Sequence, residues 1–251
     1  MITAIANQKG GVAKTTSTIA LGGLLSEGNS CLLIDLDPQG NLTTGVGITL
    51  ADDQPTVYDV LTKRAHVKEV IVSTSFGFSV LPANEILAQA EKDLANHDDR
   101  FLLLRDILKS LRSTFDHILI DCPPSMGLLT ANALCAANTL VIPVQCQFFA
   151  VKGLEGLLKT IDTVKKRLNP HLQVLGVLPT MAEPNTLMTQ DVLKTLRSEL
   201  NGIRVFNPVP KSVKFPESNY AGAPINRYAN EWRLVQPYRD VARELMILQE
   251  G

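Results

Sequence analysis

Several features are missing from this sequence, and each absence excludes something. Its four cysteines, Cys31, Cys122, Cys135 and Cys146, are scattered, with no CxxC spacing. That excludes a disulfide framework and a structural zinc site, and the thiols are expected as reduced core residues of a cytosolic protein. Charge of neither sign is in excess: 24 Lys and Arg against 25 Asp and Glu leave −1 at pH 7. Nucleic-acid binding would therefore need a local basic patch. No apolar run approaches the length that spans a bilayer, and no low-complexity tract signals disorder. The chain enters a strand-like run at Ile2, so no signal peptide is expected. What is present is 45% apolar residues in a chain of 251, enough for a full core in one large domain or two small ones.

The most informative stretch is Gln8-Lys9-Gly10-Gly11-Val12-Ala13-Lys14-Thr15-Thr16. It follows an apolar, β-prone run over 2–6 and leads into a helical pattern over 16–27. Strand, glycine-bearing loop and helix together build a phosphate cradle. Gly10 and Gly11 let backbone N–H groups turn toward phosphate oxygens with no Cβ in the way. The helix points its positive end at the same anion. Lys14 is placed to reach the outer phosphates and the Thr15 hydroxyl to ligate Mg²⁺. The pattern GxxxxGK[ST] would want Gly at Gln8 and at Ala13; a second lysine, Lys9, stands five residues before Lys14 instead.

Two later runs end in acid. Cys31-Leu32-Leu33-Ile34-Asp35 reads as a strand buried on both faces, one helix after the first. Asp35 and Asp37 follow at its carboxyl end, where ligand chemistry collects in open α/β sheets. They point the same way if the strand continues, one toward a metal's water shell and one toward an attacking water. His117-Ile118-Leu119-Ile120-Asp121 is stopped by Pro123 and Pro124. An aspartate ending a buried strand is costly unless it meets a cation or donors, and Mg²⁺ is the natural partner. His117 is expected to be exposed or hydrogen-bonded rather than a ligand.

Elsewhere the pattern predicts a short helix over 56–61, a strand over 78–82, and helical spacing over 83–94 and 100–111. A helix over 127–137 precedes a buried strand over 139–144, ended by Pro143. A helix over 149–168, a strand over 172–178 and a helix over 185–200 follow. The last sheet strand ends in the proline loop 205–210, with helices over 211–218 and 230–248. Strand–helix alternation with ligand signals at strand ends predicts an α/β fold: a mostly parallel twisted sheet with helices on both faces, three layers in all.

The lysine-bearing loop resembles the deviant Walker A box, KGGxxK[ST], of the ParA/MinD family. QKGGVAKTT, LIDLDPQGN and HILIDCPPSMG in that order, with the later PKSVKFPES and Gly222-Ala223-Pro224, resemble the ParA branch across almost the whole chain. The resemblance implies a single ATPase domain over 1–251 without an N-terminal DNA-reading domain. It implies ATP and Mg²⁺ as cofactors, bound by Lys9, Gly10, Gly11, Val12, Ala13, Lys14, Thr15 and Thr16. Thr15, Asp35 and Asp121 would surround the metal, and Asp37 would orient the water. Lys9 would reach the partner's nucleotide in an ATP-sandwiched homodimer. Pro208, Val209 and Pro210, with Thr180 and Met181, would enclose the adenine. The ATP dimer would bind double-stranded DNA without sequence preference through Lys194, Arg197, Lys211, Lys214, Arg227 and Arg233. A ParB-like protein or a cargo adaptor would stimulate hydrolysis. The protein is then expected in the cytoplasm, on the nucleoid when ATP-bound.

Other readings stay open on the sequence alone. The same cycle could position a protein cargo, a carboxysome or a chemotaxis cluster, instead of DNA. A membrane switch of the MinD kind needs a basic amphipathic C-terminal helix; here Asp240, Glu244 and Glu250 interrupt the apolar residues, so no membrane partner is expected. A non-enzymatic scaffold would not need Lys14, Asp37 and Asp121, and an electron-transferring relative would need cluster cysteines in a matching motif.

Overall fold

Unalternating branched apolar runs belong in a sheet covered on both faces, and that is where they lie in the computed structural model. It describes residues 1–147, 150–200, 202–229 and 231–250, with backbone only at 150–152 and 250. The strands are β1 (Ile2–Ile5), β2 (Cys31–Asp35), β3 (Val72–Ser73), β4 (Phe78–Leu81), β5 (His117–Asp121), β6 (Thr139–Gln145) and β7 (Gln173–Thr180). They form one seven-stranded sheet in the order β3-β4-β2-β5-β1-β6-β7. Every pairing is parallel except that of the two-residue edge strand β3 with β4.

The helices among the described residues are α1 (Lys14–Leu25), α2 (Asn41–Gly45), α3 (Val57–Leu61), α4 (Val67–Val70), α5 (Ala90–Asp93), α6 (Leu103–Leu108), α7 (Leu128–Ala136), α8 (Ala150–Arg167), α9 (Leu187–Glu199), α10 (Lys214–Tyr220), α11 (Ile225–Tyr228) and α12 (Trp232–Glu250). Residues of α1, α11 and α12 share one apolar core with Leu33 and Leu119, whereas those of α3 to α9 share the other with Leu32 and Ile118. The expected three-layer α/β/α arrangement is therefore the one found. All four cysteines are buried free thiols, and burial raises each thiol's pKa.

The topology places the site. From β1 the chain crosses through α1 toward β2, and from the adjacent β5 it crosses through α7 to β6 on the opposite side. Neighbouring strands whose connections diverge leave a crevice at their carboxyl ends. The loop after Ile5 and the end of β5 at Asp121 meet there, registered as direct neighbours.

Several expectations change. Pro143 does not end its strand: β6 runs on to Gln145. Pairing with β1 stops at Val141, and the Pro143 carbonyl accepts from Asn7 Nδ2 at 2.6 Å instead. Residues 205–210 form no ladder strand, only isolated bridges Val177–Val205 and Ala182–Pro210. The helical spacing over 83–94 resolves into a 3₁₀ segment, Glu85–Gln89, and the single turn α5. The starts expected at Phe149 and Asn230 lie outside the described residues. His117 is neither exposed nor hydrogen-bonded. It is fully buried, and both ring nitrogens lack a partner among the described residues.

Candidate functional site

Between β1 and α1 the chain needs two tight reversals, and it makes them with left-handed residues. Gly11 has φ +71° and Ala13 φ +68°. Gly11 adopts this without cost, whereas Ala13 does so with a Cβ. The turn delivers Lys14, Thr15 and Thr16 into the first turn of α1, which carries no acidic residue to offset its positive end.

Two anchors that sequence reasoning did not find as such hold this loop. Asn7 donates to Pro143 O and accepts the Lys9 N–H at 3.0 Å, so the loop's entry is tied to β6. The buried Thr180 hydroxyl donates to Val12 O at 3.0 Å, tying the loop's crown to the end of β7. A polar residue at the end of β7, for Thr180, and two residues beyond β1, for Asn7, was the available signal. Lys14 Nζ donates to Lys9 O at 3.3 Å inside the loop, and burial lowers its pKa against the opposing pull of Asp121. Lys9 points elsewhere: its exposed ammonium donates to Gln147 Oε1 at 2.9 Å.

Three carboxylates face this loop. Thr15 Oγ1 donates to Asp121 Oδ2 at 2.6 Å, and Thr18 Oγ1 lies 3.5 Å from Asp121 Oδ1. Asp35 is fully buried but well supplied: Oδ2 accepts from the Thr43 N–H and hydroxyl, and Oδ1 from the Asp37 N–H. β2 stops at Asp35, so the two aspartates do not share a strand face as expected. Asp35 instead holds the turn that presents Asp37, whose own Oδ1 accepts the Gln39 N–H at 3.0 Å. Burial raises the Asp35 pKa to about 6. Burial, then the nearby Asp35 charge, raises that of Asp121 well above the usual carboxylate range. Thr16 receives a long 3.5 Å contact from Asn219 Nδ2.

A cavity of about 640 Å³ opens over these groups, walled by the loop, Asp37, α2 and the end of α10. Its chemistry suits magnesium triphosphate. A bare helix end, a loop reversed at Gly11 and Ala13, and a buried ammonium want an anion. Asp121 beside the Thr15 hydroxyl wants a divalent cation completed by phosphate and water oxygens, since no three protein ligands cluster there among the described residues. Gly10 to Thr16 would hold the phosphates, whereas Lys9, turned to Gln147 and Asn7, is not among them; Thr15 and Asp121 would hold the metal.

The candidate base loop lies apart. Pro208 and Pro210 line a second cavity of about 620 Å³ together with residues 182–186. Val209 is buried, its N–H donating to Pro179 O at 2.8 Å and its carbonyl accepting the Ala182 N–H. Met181 adopts φ +51°, and Thr180 spends its hydroxyl on Val12.

The six basic candidates are spread over α9, α10, α11, α12 and the connecting loop rather than gathered. Lys211 pairs with Glu183, Lys214 with Glu217 and Arg233 with Glu231. Lys194 and Arg197, both exposed on α9, and the exposed Arg227 make no salt bridge among the described residues. No described helix is long and apolar enough to cross a membrane.

A family model described as an AAA domain matches residues 1–174. The chromosome-partitioning ATPase Soj of Treponema pallidum is 42% identical over 243 residues, spanning 96% of this chain and 94% of the relative. The chromosome partitioning protein ParA of Caulobacter vibrioides is 41% identical over 250 residues, 98% of this chain and 93% of the relative. A solved structure described as cobyrinic acid a,c-diamide synthase from Mycobacterium smegmatis, with bound ADP and magnesium, superposes with a TM-score of 0.86. It is 36% identical, over 100% of this chain and 95% of that one. With its lysine-bearing loop and strand-end aspartates meeting at one crevice, this chain belongs to the Soj/ParA family of partitioning ATPases.

Proposed function

We propose that this protein hydrolyses ATP with Mg²⁺ in a cycle that segregates plasmid or chromosomal DNA. The observation that carries the reading is the meeting of Thr15 with Asp121 beside the buried ammonium of Lys14, at the uncompensated end of α1. Bound Mg²⁺ would draw charge from the phosphoryl oxygens. Lys14 neutralises the outer phosphates, Thr16 meets the inner one, and Asp37 accepts a hydrogen bond from the attacking water. Asp35 keeps that turn in place through Thr43 and the Asp37 N–H.

Lys9 is the group supplied to a second copy. Its exposed ammonium, held by Gln147 among the described residues, can leave to neutralise the transferring phosphoryl of a facing protomer, as an arginine finger does. The adenine lies against Pro208 and Pro210, which line a cavity while Val209 between them is turned into the core. The closed homodimer binds double-stranded DNA through backbone phosphates, with Lys194, Arg197 and Arg227 the most available cations, and so resides on the nucleoid. A ParB-like or cargo-adaptor protein accelerates turnover and releases the dimer.

Duplex binding measured with ATP, with ADP and without nucleotide tests this reading. Binding is expected with ATP alone and should fall steeply with salt. Equal binding in all three states would remove the nucleotide switch, and none in any state would remove DNA as the matrix.

A further inference from the structure

At the end of α3 the chain holds a lysine where its backbone favours glycine. Two hydrogen bonds close that helix: the Lys63 N–H donates to Val60 O at 3.1 Å and the Arg64 N–H to Asp59 O at 2.7 Å. In this motif the residue after the cap, here Thr62, turns left-handed and is usually glycine. Lys63 takes that place at φ +58°, with an exposed side chain. A strained conformation kept by a surface residue points to a use for its side chain.

That side chain borders a cavity of about 450 Å³ between the α3–α4 turn and α6. Val60, Val67 and Ile107 give the cavity an apolar floor. Arg64 lines it beside Lys63, and its guanidinium lies 5.1 Å from the centre of the Tyr58 ring. The ring face orients the cation without neutralising it. The two lining carboxylates are engaged already. Asp106 pairs with Arg105 at 3.4 Å and Lys109 at 2.8 Å, and Glu69 accepts the His66 N–H at 3.4 Å. Lys63, Arg64 and the neighbouring Lys68 make no salt bridge among the described residues. The unmatched charge around this apolar floor is therefore positive. It attracts a segment that presents carboxylates around an apolar side chain. Duplex DNA suits it less: phosphates bring nothing to cover the floor, and Glu69 and Asp106 repel them at close range.

We propose that this pocket docks an acidic segment of a partner protein, tipped with an apolar side chain. Lys63 and Arg64 take its carboxylates, and Val60, Val67 and Ile107 take the apolar group. No residue of the pocket lines the phosphate cavity, so docking tethers the protein whatever nucleotide it holds. The inference does not depend on the ATPase reading above.

The probe is a fluorescein-labelled ten-residue peptide of alternating glutamate and leucine, read by anisotropy without DNA. The wild-type protein should bind it equally with ATP, with ADP and without nucleotide, and binding should fade with salt. The Lys63→Glu, Arg64→Glu variant should lose roughly tenfold or more in affinity. Lys63→Gly removes the charge and the strain together, so it should lose several-fold in affinity yet keep its melting midpoint. Lys63→Arg should keep both. The Lys194→Ala, Arg197→Ala variant should bind the peptide as the wild type does. Undiminished binding to the charge-reversed variant would overturn the site, as would equal binding of a lysine–leucine peptide. Affinity that changes with nucleotide would overturn the separation from the crevice. Duplex binding lost by the charge-reversed variant, with peptide binding intact, would make the pocket part of a nucleic-acid face and overturn the acidic partner.

Discussion

The Thr15 hydroxyl donates to Asp121 Oδ2 across 2.6 Å, joining the first turn of α1 to the end of β5. Both groups are natural magnesium ligands or supports of its water shell. Asp121 is a fully buried carboxyl crowded by Asp35, and its burial disfavours the charged form.

A bound cation would offset that cost. Asp121→Asn keeps the shape and removes the charge. Without nucleotide the variant should be at least as heat-stable as the wild type. With saturating ATP and Mg²⁺ the wild type should gain the stabilisation expected of a ligand that binds only the folded state, about 3 kcal/mol at a hundred times its dissociation constant. The variant should lose most of that gain. Thermal melts with and without Mg-ATP decide it; equal ligand-induced shifts would exclude Asp121 from the metal site.

Much of this site was legible because its residues break local rules. Two lysines around a glycine pair serve no turn, and an aspartate cannot cheaply end a buried strand; both point at a ligand before any fold is known. The anchors were not legible. Asn7 and Thr180 act through backbone carbonyls of Pro143 and Val12, partners more than a hundred residues away in sequence, and such pairings depend on strand order. The same holds for Asp35: its role turns on Thr43, from a short helix whose five residues carry no periodic signal. Pro143 misled because it reads as a strand end, and only the stopping of β1 explains why it is tolerated.

Ala13 bears on stability directly. At φ +68° its Cβ crowds the following carbonyl, at about 1–2 kcal/mol for a non-glycine residue. Ala13→Gly relieves this but frees the unfolded chain, which returns about 0.4–1 kcal/mol. The net gain should be about 0.5–1 kcal/mol, read as a midpoint rise of about 2 °C. An unchanged or lower midpoint would mean the loop relaxes around alanine without strain.

Lys194 and Arg197 stand three residues apart on α9 and therefore share a face. If they meet phosphates in the dimer, the Lys194→Ala, Arg197→Ala variant should weaken DNA binding uniformly across sequences. The slope of log affinity against log salt should shrink by about 3–4 for four lost contacts per dimer. ATP turnover without DNA should stay unchanged, since neither residue lines the phosphate cavity. Lys211→Ala should do less, because Glu183 already neutralises that cation. An unaltered slope would place the DNA face elsewhere.

His117 sets a pH limit far from the nucleotide. Burial drives its pKa from the usual 6.5 to about 4, with the Met1 ammonium adding in the same direction and Asp116 opposing. A group whose folded pKa is lowered binds its proton more readily when unfolded. The stability of its neutral form is therefore fully present above about pH 6.5 and is lost as pH falls toward 4. The loss should approach about 1.4 kcal/mol per pH unit across that window. Other buried groups titrate nearby, so the comparison is with His117→Leu, which keeps them all. At neutral pH the variant should match or exceed the wild type, having shed two unpaired ring nitrogens. Its advantage should widen steadily below pH 6.5 in denaturant melts; a constant gap would show that the buried imidazole has found a partner, such as a water, that lets it stay charged.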